Sequence, residues 1–244
     1  MVSNTLLYGT VAGAATLAGI FIVLWKHDLA LRYSHYINSF AAGVLLTIAL
    51  IHLVPESVEL SSNALLIVLG AFLAFYLLEA VLVFHSGSAI HFADAHARDL
   101  HTKGITIFSG LFIHSLIDGV IIATGFEASP ALGLFTAIGV ILHELPEGVT
   151  SFALMMRSMS RKNAFYLSLA VGLATPVGAA VGLGILGIMS ESALGIMMAI
   201  AGGSFLYVAA SDLIPETHER DVLQNVVFLL AGAGLFYFLG RFFE

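Results

Sequence analysis

Two things are scarce in this chain of 244 residues: cysteine, of which there is none, and charge, which takes up 10% of positions. Without cysteine there are no disulfides and no thiolate ligands, so any metal site has to be assembled from histidine, carboxylate and weaker oxygen donors. Soluble proteins are roughly a quarter charged, so this composition excludes an ordinary water-exposed globular surface. The first residues, MVSNTLLYGT, have no basic leading segment and no small-residue cleavage site, and they are read as the start of a first span rather than a removable signal peptide. What is abundant is apolar: 59% of residues are hydrophobic, and the mean hydropathy is +1.00.

Crossing about 30 Å of hydrocarbon takes roughly 20 apolar residues in a helix. Runs of that kind fall at about 5–25, 36–54, 63–84, 104–126, 130–156, 163–190, 193–214 and 222–242. The expected fold is therefore an all-α membrane protein of eight transmembrane helices. It forms one transmembrane domain over residues 1–244, with no room for a soluble domain and no nucleic-acid partner.

Lys and Arg near span ends concentrate on the cytoplasmic side. Lys26 and Arg32 lie between spans 1 and 2, Arg98 and Lys103 between 3 and 4, Arg157, Arg161 and Lys162 between 5 and 6, and Arg220 between 7 and 8. Only Arg241 falls on the other face. This bias puts both termini outside, so span 2 runs outward while spans 5 and 7 run inward.

Shifting the sequence by 160 residues sets AAGVLLTIALIHLVPES (41–57) on AGGSFLYVAASDLIPET (201–217) without a gap. Gly43 meets Gly203, Pro55 meets Pro215 and Glu56 meets Glu216. Because spans 2 and 7 run in opposite directions, the copies are inverted, the arrangement in which membrane carriers hold a site near the midplane. Spans 1–3 and 6–8 are the expected repeats, flanking spans 4 and 5 in a 3+2+3 order.

The central pair carries the chemistry. Span 4 contains HSLIDG (114–119) and span 5 contains HELPEG (143–148). His114 with Asp118, and His143 with Glu147, stand four residues apart, which puts each pair on one helix face about 6 Å apart along the axis. An ionisable group at mid-span costs at least about 2.5 to 3.5 kcal/mol on insertion scales, so four of them require a partner inside the bundle. A divalent cation satisfies imidazole and carboxylate together, and this mixture suits Zn(II), Fe(II) or Mn(II) better than Ca(II) or Mg(II). Pro146 cannot donate to the Leu142 carbonyl and is expected to kink span 5 there. Gly119 and Gly148, one residue after each carboxylate, allow neighbouring helices to come close. Glu144 lies roughly 100° around the helix from His143, facing either a second metal position or a proton released on binding. Ser115 stands in the same relation to His114, and Thr175, just before Pro176, is a weak oxygen donor on span 6.

Taken together these residues resemble the ZIP (Zrt/Irt-like) family of divalent-metal transporters, over nearly the whole chain. That family has eight spans with both termini outside, paired motifs on spans 4 and 5, and Pro-Glu near the ends of spans 2 and 7. HELPEG is close to its span-5 motif and HSLIDG looks like its span-4 motif. This chain departs from the family pattern at three positions: Ser115 replaces the usual Asn, Ile117 stands where many members have proline, and Thr175 stands where an acidic residue is common. Asp118 resembles the eukaryotic-type branch, whereas the short chain and Glu147 look bacterial, and the expectation is a bacterial member.

The resemblance implies a primary site of His114, Asp118, His143 and Glu147, with Glu147 bridging to a second site that draws on Ser115, Asp118 and Glu144. It implies a carrier and not an enzyme. The cargo, not a cofactor, is a divalent transition-metal ion, Zn(II) first, with Cd(II), Fe(II) and Mn(II) as alternatives. It places the protein as a multi-pass component of the cell (inner) membrane bilayer, and with the glycine-rich spans it points to a homodimer. His52 and Glu56 would form an outer entrance, and Asp212, Glu216, His218 and Glu219 an inner exit. His85, His91, His96 and His101 would give the loop between spans 3 and 4 a metal-binding or merely polar character.

Two other readings compete. In one, an intramembrane zinc-dependent hydrolase uses Glu144 to activate a metal-bound water, since HELPE has a superficial likeness to H-E-x-x-H. Glu147 replaces the second His of that motif and a proline interrupts its helical turn. The other is a non-transporting metal sensor.

Overall fold

The computed structural model describes residues 2–86, 97–187, 189–216 and 221–243. His91, His96, His218 and Glu219 lie outside the described residues, as do the side chains of His85, His101, Asp212 and Glu216. Among the described residues the chain is helical throughout, without a strand. The helices are α1 (Val2–Lys26) and α2 (Arg32–Leu60), α3 (Ala64–Ser86), α4 (Ala97–Ala128), α5 (Pro130–Ser158) and α6 (Arg161–Leu186). Then come α7 (Glu191–Tyr207, continued through Val208–Leu213 to Ile214–Glu216) and α8 (Val222–Phe243). Seven are long and apolar enough to cross a membrane. The eighth, α3, has 23 residues, about 34 Å of helix, of which the described apolar stretch is Ala64–Leu78.

Local chemistry sets the boundaries. Lys26, at φ −142° and ψ 64°, separates α1 from α2. Ser129 is extended, accepts a hydrogen bond from Leu132 N–H at 3.1 Å and is followed by Pro130 in the first turn of α5, the expected start signal for a helix. Ser160 and Ser190 cap α6 and α7 in the same way.

The two repeat copies share a feature that the sequence pattern did not announce. Ile48–Leu53 in α2 and Val208–Leu213 in α7 are π-helical, at the 160-residue offset of the repeat. Val54 N–H donates to the Ala49 carbonyl and Ile214 N–H to the Ala209 carbonyl, the i→i−5 bonds of a π turn. Pro55 and Pro215 follow immediately. A proline has no N–H to give and its ring displaces a preceding carbonyl, and widening the turn absorbs both effects without ending the helix. In α5 and α6, by contrast, Pro146 and Pro176 sit inside continuous α-helix.

Packing order differs from chain order. In α5, a Cβ on Gly148 would overlap the Thr16 carbonyl of α1, and in α4 a Cβ on Gly119 would overlap the Thr175 carbonyl of α6. Ile20, Val149, Phe152, Met155 and Val171 fill the space between α1, α5 and α6. The repeat-equivalent Gly43 and Gly203 play the same part elsewhere, bringing α2 against α8 at Leu229 and α7 against α3 at Val68. Between these two sets of helices lies the largest core cluster, which includes Leu45 and Ile48 of α2, Phe135 and Val140 of α5, Phe205 of α7 and Phe236 of α8.

Candidate metal centre

Helices α4 and α5 form an antiparallel hairpin about the single residue Ser129. Counting from that corner, Asp118 lies about 16 Å back along α4 and His143 about 21 Å forward along α5, so the two motifs meet in the middle of the bundle. His143 Nε2 is 2.9 Å from Asp118 Oδ2. One turn further from the corner on both helices, His114 Nε2 is 3.4 Å from Glu147 Oε2, and it is also 3.3 Å from Asp118 Oδ2. One ligand atom from each of His114, Asp118, His143 and Glu147 falls within 4.8 Å of every other.

These separations can be compared with what an ion requires. Four N and O donors at about 2.1 Å from a tetrahedral zinc ion stand about 3.4 Å apart. The three measured pairs already span 2.9 to 3.4 Å. The groups need only small rotations to surround a cation of that size.

The hydrogen bonding points the same way. His143 Nδ1 lies 3.0 Å from the Gly139 carbonyl, one turn back on α5, and a carbonyl can only accept, so Nδ1 carries the proton. In a neutral imidazole Nε2 then offers a lone pair toward Asp118 Oδ2, and at 2.9 Å two acceptors require a proton or a cation between them. The backbone carbonyl thus sets the ring's tautomer and direction, as such partners do for metal-binding histidines. Asp118 Oδ1 is buried with no hydrogen-bond partner, and an orphaned carboxylate oxygen in a bundle interior is costly without a cation.

The site is graded in exposure. Asp118 and His143 side chains are 0% and 2% exposed, whereas His114 and Glu147 reach 17% and 11%. Phe205 of α7 stands edge-on to the His143 ring, 6.2 Å between centroids, so the second set of helices closes the buried end with an apolar wall.

Two more of the sequence-selected residues are drawn in differently. Ser115 Oγ–H donates to Glu147 Oε1 at 3.3 Å, linking α4 to α5. Glu144, fully buried, is absent from the group of four. Its Oε1 accepts from Thr175 at 2.6 Å and its Oε2 accepts from Thr16. Thr16 was not selected from the sequence, because a single threonine in an apolar span carries no pattern. The geometry does not support the hydrolase alternative, which needs Glu144 free to take a proton from a metal-bound water. At the far end of α2, His52, Glu56 and Glu59 share a cleft of about 320 Å³ with Ser129, Leu132 and Phe135.

Comparison with known proteins agrees with this chemistry. A family model described as ZIP zinc transporter matches residues 85–240, more than half of the chain and all four clustered residues. The chain belongs to the ZIP zinc transporter family. It is 36% identical over 125 residues to human zinc transporter ZIP4, covering 50% of this chain and 19% of that protein. It is 31% identical over 135 residues to zinc transporter foi of Drosophila melanogaster, covering 53% of this chain and 19% of that protein. Zinc transporter YKE4 of Saccharomyces cerevisiae is 25% identical over 224 residues, 79% of this chain and 64% of that protein. The chain thus spans less than two thirds of the length of these ZIP relatives.

Proposed function

We propose that this ZIP family member carries divalent transition-metal ions, zinc first, from outside into the cytoplasm, and that it is a transporter rather than an enzyme. The observation that carries the reading is the convergence of two imidazoles and two carboxylates in the middle of an apolar bundle. The printed names of the relatives, all zinc transporters, support it.

The ligands are His114, Asp118, His143 and Glu147, with Ser115 holding Glu147. The mixed nitrogen and oxygen set admits Cd(II), Fe(II) and Mn(II) besides Zn(II) and disfavours Ca(II) and Mg(II). In this reading the protein is one transmembrane domain of eight spans, inverted repeats 1–3 and 6–8 around spans 4 and 5, in the cell membrane of a bacterium as a homodimer. Both termini lie outside, so His114 and Glu147 form the inner, more exposed end of the site. Asp118 and His143 then form the outer end, closed toward the outside by apolar side chains. The cleft at His52 and Glu56 becomes an outer vestibule. An ion sheds water onto the ligands and passes inward when one set of helices rocks against the other and opens the opposite end.

The test is metal flux into liposomes reconstituted with purified protein, comparing wild type with His143→Ala and Glu147→Ala across Zn(II), Cd(II), Fe(II) and Mn(II). Saturable flux lost in both variants is the expected result, and the ion ranking names the cargo. Tight binding with no flux in wild type would overturn the carrier reading.

A further inference from the structure

Glu144 is the one buried ionisable group of the HELPEG turn that the four-ligand cluster leaves unused. Both of its carboxyl oxygens are taken by hydroxyls, and the two hydroxyls come from different helices, Thr16 from α1 and Thr175 from α6. The same two threonines mark backbone crossings beside the ligands. The Thr16 carbonyl lies against Gly148, next to Glu147, and the Thr175 carbonyl lies against Gly119, next to Asp118. Thr16 therefore touches α5 twice, through the backbone beside Glu147 and through Glu144, and Thr175 touches α4 beside Asp118 and α5 through Glu144.

We propose that Glu144, with Thr16 and Thr175, is a positioning residue and not a metal ligand: the clamp fixes the α5 turn so that His143 and Glu147 meet His114 and Asp118 around a single ion. The inference rests on the reading of the four-residue cluster as the metal site. An ion needs its donors within a few tenths of an ångström, and ligand side chains reach that precision only when the groups behind them are held in place. Rotation of α5 by one residue swings a side chain about 100°, enough to exchange Glu144 for His143 in the cavity. Two hydroxyl bonds from two different helices resist that rotation. With one hydroxyl bond already on each oxygen, a second ion at Glu144 would have to share or displace the bonds that hold the turn.

Zn(II) titration of the purified full chain, read as affinity and as ions bound per chain, tests this. Wild type is expected to bind one ion in the bundle. Thr16→Val/Thr175→Val is expected to bind one ion about tenfold or more weakly, the usual cost of losing an outer-sphere partner. Thr16→Ser/Thr175→Ser, which keeps both hydroxyls, is expected to restore the affinity. A merely structural role would alter stability in the valine variant without a matching serine rescue of affinity. Glu144→Gln is expected to keep the one-ion stoichiometry, since the amide still reaches both threonines. Two ions in wild type falling to one in Glu144→Gln would make Glu144 a ligand and overturn the proposal, as would wild-type affinity in the valine variant. If the double variant does not fold, the single Thr175→Val decides by the same titration. His143→Ala run alongside separates the two levels: unchanged affinity there would sink the four-ligand site itself, whatever the threonine variants do.

Discussion

The helices packed around the His and carboxylate cluster and the helices that carry the repeated π turns solve the same steric problem in opposite ways. In α1, α4, α5 and α6, backbones touch at glycines, the prolines of α5 and α6 sit inside α-helix, and the buried polar side chains include Asp118 and His143 of the cluster together with Thr16, Ser115, Glu144 and Thr175. In α2 and α7 a π turn precedes each proline, and the helices meet α5 through Leu45, Ile48 and Phe205, apolar side chains rather than backbone. Backbone-to-backbone contact sealed by hydrogen bonds defines distances closely, which a metal site needs. An interface of aliphatic and aromatic side chains has no directional bonds to break, which is what two bodies that move past each other need. Under the proposed rocking motion, precision and mobility would be allotted to different surfaces.

Substitutions can break this contrast at graded strength. Gly148→Leu should have the largest effect, because its side chain begins inside the Thr16 carbonyl; a loss of about 3 kcal/mol would appear as a collapsed melting temperature and little monodisperse protein. Asp118→Asn should fold yet lose flux to the level of empty liposomes, since its Oδ2 serves both imidazoles. Wild-type Zn(II) uptake in that variant would show that the cluster is structural. Ser115→Ala removes one long hydrogen bond to Glu147, worth about 1 kcal/mol, and should lower the melting temperature by about 2 to 4 °C while raising the KM for Zn(II) up to about fivefold. Smallest is Gly139→Ala at the side-chain boundary, where the new methyl meets the flexible end of Ile48, 2.7 Å from Cδ1. About 1 kcal/mol of overpacking should change the melting temperature slightly, and its effect should fall on transport rate rather than on Zn(II) affinity.

Much of the site could be read in one dimension because helix geometry is local. A His and a carboxylate four residues apart must share a face, so each pair was legible on its own helix, and the Pro-Glu repeat marked α2 and α7 as related. The π turns were not legible, because the same residue type leaves α5 and α6 α-helical at Pro146 and Pro176, and only the surroundings decide which outcome prevails. Thr16 was invisible for the same reason: its role exists only where α1 crosses α5.

What the sequence by itself determined is the class of object: a chain of apolar helices, two related Pro-Glu segments 160 residues apart, and two His/carboxylate pairs. How the His143/Glu147 face meets the His114/Asp118 face was decided by tertiary structure alone. The placement of α4 and α5 is set by backbones meeting at Gly148 and Gly119 and by hydroxyls from α1 and α6, contacts between residues more than a hundred positions apart in some cases, so local spacing encodes each shared face but not what it meets.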